Sequence, residues 1–286
     1  MARSNTLRYL ILLVGAFWVL YPLSTMVQES FGIDLGPLYS GRGTSFVGIF
    51  FQGTGGLTPT LKNYVYAFRA DAWPRLVINS TIIALSSVSV ALIVGVPAAY
   101  SFARYKYRGK TLLTFGLLAL RTISPFAVLV PFFITYGQLG LFDTFHGMAI
   151  IYLVLNLPIV VLMMRGFFKE IPKEIYEAAA ISGASDVTIL RRVALPLVLP
   201  GMVAVMLFAF VATWNEYLYA LVLTGVKSKT VSRGIWSGFG ESIEGFKVLD
   251  FDELNAAGTL AFIPAVVIAL LVRKYMTRGV TMGMAK

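Results

Sequence analysis

Six apolar stretches of spanning length leave this chain few choices of fold. They cover Tyr9 to about Val27, Val77 to Phe102, Thr111 to Tyr136, Gly147 to Met164, Pro196 to Leu223 and Asn255 to Val272. In lipid every backbone N–H and C=O must be paired within the protein, so stretches of this length read as helices. Only 13% of the 286 residues are charged, and mean hydropathy is +0.77. A soluble domain carries about 25% charged residues. The expected class is all-α integral membrane with six transmembrane helices, in one transmembrane domain over residues 1–286. Its core is expected at 77–276 and its external regions at 28–76 and 224–254. A cleaved leader is the rival reading of the first stretch, but no small-residue cleavage site follows it directly.

Charge sets the orientation. With six spans both termini share one side. That side carries fifteen Lys and Arg residues against eight on the other. The positive-inside rule then puts the termini in the cytoplasm of a cytoplasmic (inner) membrane. The net charge of +10 is accounted for as topology rather than as a nucleic-acid footprint. Zero Cys and a lone His146 leave no thiolate or histidine cluster for a metal. His146 itself reads as a polar cap at the outer end of the fourth span. Gly109-Lys110-Thr111 has the end of a phosphate loop, but the glycine needed five residues earlier is Arg104. No ATP site of the chain's own is expected.

The longest cytoplasmic interval, 165–198, reads as helix, turn, helix. Pro172 suits a first helical position, and Glu174 and Glu177 suit the positive end of the helix dipole. Ile175, Ala178, Ala179 and Ser182 form one narrow face. Gly183 is placed for a left-handed stop and Ser185 for an N-cap. Val187, Leu190 and Ala194 share a side of the second helix, which Leu195-Pro196 is expected to end. A small-residue face beside a carboxylate suits docking by a partner. A DNA-reading helix-turn-helix has a similar outline, but here it would be pressed against the bilayer.

The spacing Glu177-Ala178-Ala179, Gly183, Val193, Leu195-Pro196 resembles the EAA loop of ABC importer permeases, with Val193 where that family often has Ile. Asn156-Leu-Pro158, Arg165-Gly-Phe-Phe168, Ile171-Pro-Lys-Glu174 and Trp214-Asn-Glu-Tyr217 resemble the maltose-type, carbohydrate-uptake branch, in particular its six-helix MalG-like subunits. The likeness runs from about Lys62 onward, through Asn63-Tyr64, Asn79-Ser80 and Ala99-Tyr100. It implies a type I importer permease fold with cytoplasmic coupling helices, and a subunit of an ATP-driven importer for a sugar or related polyol or oligosaccharide. It implies four kinds of partner besides membrane lipid: a second, homologous permease subunit, two ATPase subunits and an extracytoplasmic substrate-binding protein. ATP and Mg would sit on the ATPases, with no cofactor and no enzymatic activity here. Glu177, Ala178, Ala179, Gly183, Val193, Leu195 and Pro196 would be the ATPase-coupling residues. Gly234, Gly238 and Gly240, in the loop before the last span, would adapt that loop to the binding protein.

Arg121, Asn156, Trp214, Asn215, Glu216 and Tyr217 carry polarity into the spans. They either line a pathway or pack at helix or subunit interfaces, and Arg121 and Glu216 are free to pair. Asn156 and Pro158, with Pro125, Pro131 and Pro264, mark bends. Two other functions are open to a chain of this class. An ion-coupled secondary transporter predicts repeated halves and midplane ionisable groups, and no clear repeat is present. An intramembrane enzyme needs a metal set or a nucleophile–base constellation, which the sequence lacks. Within the importer reading, a non-sugar solute such as glycerol 3-phosphate also fits.

Overall fold

The computed structural model of the chain describes residues 2–31, 61–70, 73–237 and 251–283. Gly238 and Gly240 lie outside them, as does most of the first external region. Every regular element among the described residues is helical. They are α1 (Ala2–Ser30), α2 (Lys62–Ala70), α3 (Trp73–Arg104), α4 (Lys110–Thr122), α5 (Pro125–Gln138) and α6 (Phe145–Glu170). α7 (Lys173–Ile181), α8 (Asp186–Thr188), a π-helical turn (Ile189–Ala194), α9 (Leu195–Trp214), α10 (Leu218–Leu223), α11 (Val231–Ser237) and α12 (Phe251–Gly283) follow. Five described helices are long and apolar enough to cross a membrane, or six if α4 and α5 together count as one.

The departures from the expected spans have local causes. The third stretch is not one helix: α4 and α5 meet at a 91° bend. Ser124 precedes Pro125 and is held extended, at φ −62° and ψ 127°, as a residue before proline tends to be. The fifth stretch breaks at Asn215–Tyr217, between α9 and α10. The fourth runs on to Glu170, so Arg165–Glu170 is helix rather than loop. Leu195-Pro196 does not end the second loop helix. Asp186–Trp214 forms one candidate span. Leu195 N–H donates to the Leu190 carbonyl, one residue further back than in an α-helix. That wider turn precedes the point where Pro196 would remove a bond, so the helix carries through.

The described chain divides into two units. One comprises Met1–Arg75 and Gly234–Ile263. In it the end of α1 is tied to α2 and α12: Ser30 Oγ lies 2.6 Å from the Tyr64 hydroxyl, and Asn255 donates to Glu29 at 2.6 Å. The other comprises Leu76–Arg233 and Pro264–Lys286. Its core joins α3, α5, α6 and α10 through Ile83, Tyr136, Met148, Ile151, Tyr152 and Leu223. The small residues of α3 do what their content predicts in lipid. Ala84, Ala91 and Ala99 are fully buried. A Cβ on Gly95 would stand 2.7 Å from the Val160 side chain, and one on Gly201 would meet the Phe167 ring at 2.6 Å. Glycine at both places lets backbone and neighbour close up.

Candidate functional site

The interval between α6 and α9 builds itself from local signals. Pro172 is the N-cap of α7 rather than its first residue, with Glu174 in the first turn. At the other end Gly183 N–H donates to the Ala180 carbonyl and Ala184 N–H to the Ala179 carbonyl. This is the Schellman pairing, and it needs a left-handed residue between. Gly183 supplies it with φ 79°. No atom stands within 4 Å of where its Cβ would be, so the requirement is backbone alone. Ser185 then caps α8, its Oγ accepting from Thr188 N–H. We predict that Gly183→Ala costs about 1–2 kcal/mol, the penalty of a left-handed non-glycine residue. Thermal unfolding of the detergent-solubilised chain measures it.

An aromatic anchor holds α7 to the spans. Tyr176 is the one buried residue of α7, 5% exposed. Its hydroxyl donates to the Phe168 carbonyl at 3.2 Å. Its ring lies 6.1 Å from Tyr100 of α3 and 4.8 Å beneath the Arg104 guanidinium, a cation–π contact. Tyr100 in turn meets Phe168 edge-on at 5.5 Å. Burial pushes the Tyr176 hydroxyl up to about 12. Tyr105, just past α3, is also raised to about 12, first by burial and then by its hydrogen bond to the Asp186 carboxylate. α7 is thus fastened to the end of α3.

The opposite side of the interval is open. Glu177, Ala178 and Gly183 are exposed and Ala179 is half-buried. Ile181 and Val187, at the two ends of the turn, are 88% and 59% exposed. Val193 and Leu195 are half-buried in the π-helical turn and the start of α9, and Pro196 is exposed. The seven expected coupling residues therefore fall into two groups. Glu177, Ala178, Ala179 and Gly183 sit along α7 and its stop, and the other three carry the connection into α9. A groove of about 280 Å³ runs beside them, lined by Phe167, Pro172, Ile175, Leu197 and Gly201 among others.

The polar residues in the spans pack against neighbours. Asn156 donates to Thr213 Oγ1 at 2.7 Å, both buried, and joins α6 to α9. Trp214 is buried and stacks on Phe210 at 5.6 Å. Asn215 is exposed and donates back to the Val211 carbonyl. Glu216 accepts from Tyr219 N–H, Ala220 N–H and the Tyr152 hydroxyl, the last at 2.9 Å. Its carboxylate therefore covers the N–H groups at the start of α10, where negative charge is favoured. Tyr217 is the N-cap of that helix. Arg121 is exposed in the last turn of α4. His146 is exposed in the first turn of α6. Gly234 is buried in α11.

Sequence reasoning missed Asp143, between α5 and α6. It is the one described non-glycine residue with positive φ, 54°. Its carboxylate accepts from Gly225 N–H at 2.7 Å, Val226 and Lys227 N–H at 3.0 Å, and Ser228 N–H at 2.9 Å. The Ser228 hydroxyl adds a fifth bond at 2.8 Å. A Cβ on Gly225 would stand 2.6 Å from Asp143 Oδ2. The same loop is held from α3: Asn79 donates to the Lys227 and Lys229 carbonyls, and Ser80 Oγ accepts from Val231 N–H. Burial alone would raise the Asp143 carboxyl, but the N–H donors outweigh it and hold it down at about 2. The only sequence hint was an Asp in a short connector, a residue type that tolerates left-handed backbone.

Known proteins resemble this chain over most of its length. The family model described as binding-protein-dependent transport system inner membrane component matches residues 91–282. The probable ABC transporter permease protein y4oR of Sinorhizobium fredii is 33% identical over 231 residues, 80% of each chain. The trehalose transport system permease protein SugB of Mycobacterium tuberculosis is 32% identical over 80% of this chain and 83% of its own. The trehalose/maltose transport system permease protein MalG of Thermococcus litoralis is 28% identical over 99% of both. A crystallised chain of a bacterial ABC transporter that imports the acidic polysaccharide alginate shares the fold, with a TM-score of 0.72 at 23% identity over 96% of each chain. This chain belongs to the binding-protein-dependent transport system inner membrane component family and is a multi-pass membrane permease subunit.

Proposed function

We propose that the chain is one permease subunit of an ATP-driven importer for a sugar or oligosaccharide. The observation that carries this reading is the α7–Gly183–α8 pair, anchored through Tyr176 on one side and open on the other. A preformed small-residue surface fixed to two spans is what a separate ATPase subunit needs in order to push on them. ATP and Mg belong to those ATPase subunits, and hydrolysis takes place there. A second permease completes the channel, and an extracytoplasmic binding protein delivers the solute to the outer face. The excess of Lys and Arg on the α7 side supports cytoplasmic termini. The sugar class is supported by relatives named for trehalose, maltose and diacetylchitobiose transport. Glu177 offers a charge-assisted contact to a partner cation, and Ala178, Ala179 and Gly183 allow close approach.

The test reverses that surface. With Glu177→Lys and Gly183→Trp together, the ATPase subunits should no longer co-purify and sugar uptake should fall to background. Co-purification and uptake at the unaltered level would show that α7 is not the docking surface.

A further inference from the structure

A second built feature lies where α3, α4 and α6 end together. The short connector 105–109 leaves α3, and α4 begins at Lys110 and packs on α6. Lys106 and Lys169 are exposed there. Arg165, Lys169 and Lys106 all act electrostatically on Lys110, and no carboxylate is among the charges that do. The Lys110 ammonium donates to the Tyr105 carbonyl at 2.8 Å, leaving two of its three donors unused in that bond. The Arg165 Nε is buried without a hydrogen-bond partner. Like charges that act on one another repel unless something negative joins them.

The helix that begins at this cluster narrows the choice of anion. α4 buries none of its residues. Leu113, one turn from Lys110 and on the same side of α4, is 54% exposed. A soluble phosphate or an acidic protein loop would satisfy the cations and leave this apolar face unmatched. An amphiphile matches both. We propose that this corner binds an anionic phospholipid, its phosphate among Lys106, Lys110, Arg165 and Lys169 and an acyl chain along Leu113. Basic residues beside a membrane helix attract such headgroups. The inference stands apart from the transport reading, since it uses neither α7 nor any partner subunit.

The experiment uses the full chain, purified in detergent, stripped of lipid, and titrated with phosphatidylglycerol or phosphatidylcholine of equal chain length. Binding is read by native mass spectrometry. Phosphatidylglycerol should bind more tightly. The double variant Lys110→Gln, Lys169→Gln should weaken it about thirtyfold, from the usual contribution of two basic residues near a lipid headgroup. Lys110→Arg with Lys169→Arg should restore it. Size-exclusion profiles confirm that the variants stay folded, and single Lys110→Gln serves if the double variant does not. Equal binding of both lipids, no loss in the Gln variants, or displacement of lipid by inorganic phosphate alone would each overturn the proposal.

Discussion

Replacing Asp143 with Ala should destabilise the chain by about 3–5 kcal/mol, since hydrogen bonds to a charged group contribute about 1.5–3 kcal/mol each and do not add fully. Four consecutive backbone N–H groups, from Gly225 to Ser228, would lose their acceptor at once. Thermal unfolding of the detergent-solubilised protein gives the loss. Asp143→Asn separates the causes. It keeps a residue type at home in left-handed backbone but removes the charge and turns one acceptor into a donor, so it should recover part of the stability. The pH dependence has a definite sign. The folded carboxyl is held at about 2, below its ordinary 3.8. Its contribution is therefore complete above pH 3.8 and is lost as pH falls towards 2. The wild type should weaken across that window, and Asp143→Ala should lack this component.

Tyr176→Ala carries the second large effect, and it falls on coupling. Truncating a buried aromatic costs about 3–5 kcal/mol, which would shift the docked position of α7 by a factor of a hundred or more. Under the importer reading, transport should fall by about that factor while ATPase subunits still bind, because Glu177, Ala178 and Gly183 remain exposed. The complex would hydrolyse ATP without moving solute. Tyr176→Phe keeps the ring under Arg104 and loses only the bond to the Phe168 carbonyl, a cost of about 1 kcal/mol, so transport should stay within a few-fold of wild type. If uptake and hydrolysis in Tyr176→Ala fall in parallel, the residue serves assembly rather than transmission.

What could be read in advance follows the range of each interaction. The stop at Gly183 and the cap at Ser185 rest on neighbours within five residues, so residue type and spacing suffice. The bend at Pro125 was legible too, since Ser124 sits where proline forces extension, but its size, 91°, which splits the stretch into two helices, was not. Asp143 was out of reach because its acceptor atoms meet donors 82 to 85 positions away. Glu216 stood out as a carboxylate in an apolar stretch. Its role was hidden until the break at Asn215 created a helix start beside it. Nothing local marks Tyr176 out, and only the approach of α3 makes it an anchor.

The π-helical turn at Ile189–Ala194 fixes a rotational phase. An α-helix advances about 100° per residue, so a turn with one extra residue rotates everything beyond it by that amount relative to everything before. Upstream lie α7 and α8, and downstream lies Gly201, closed against the Phe167 ring. Only one azimuth of α9 puts a glycine under that ring while α7 stays anchored through Tyr176. Removing one residue between 189 and 194 would regularise the helix and aim a bulkier side chain at Phe167. Under the importer reading, the turn is a set angle between the surface that would receive force and the helix that would carry it through the membrane.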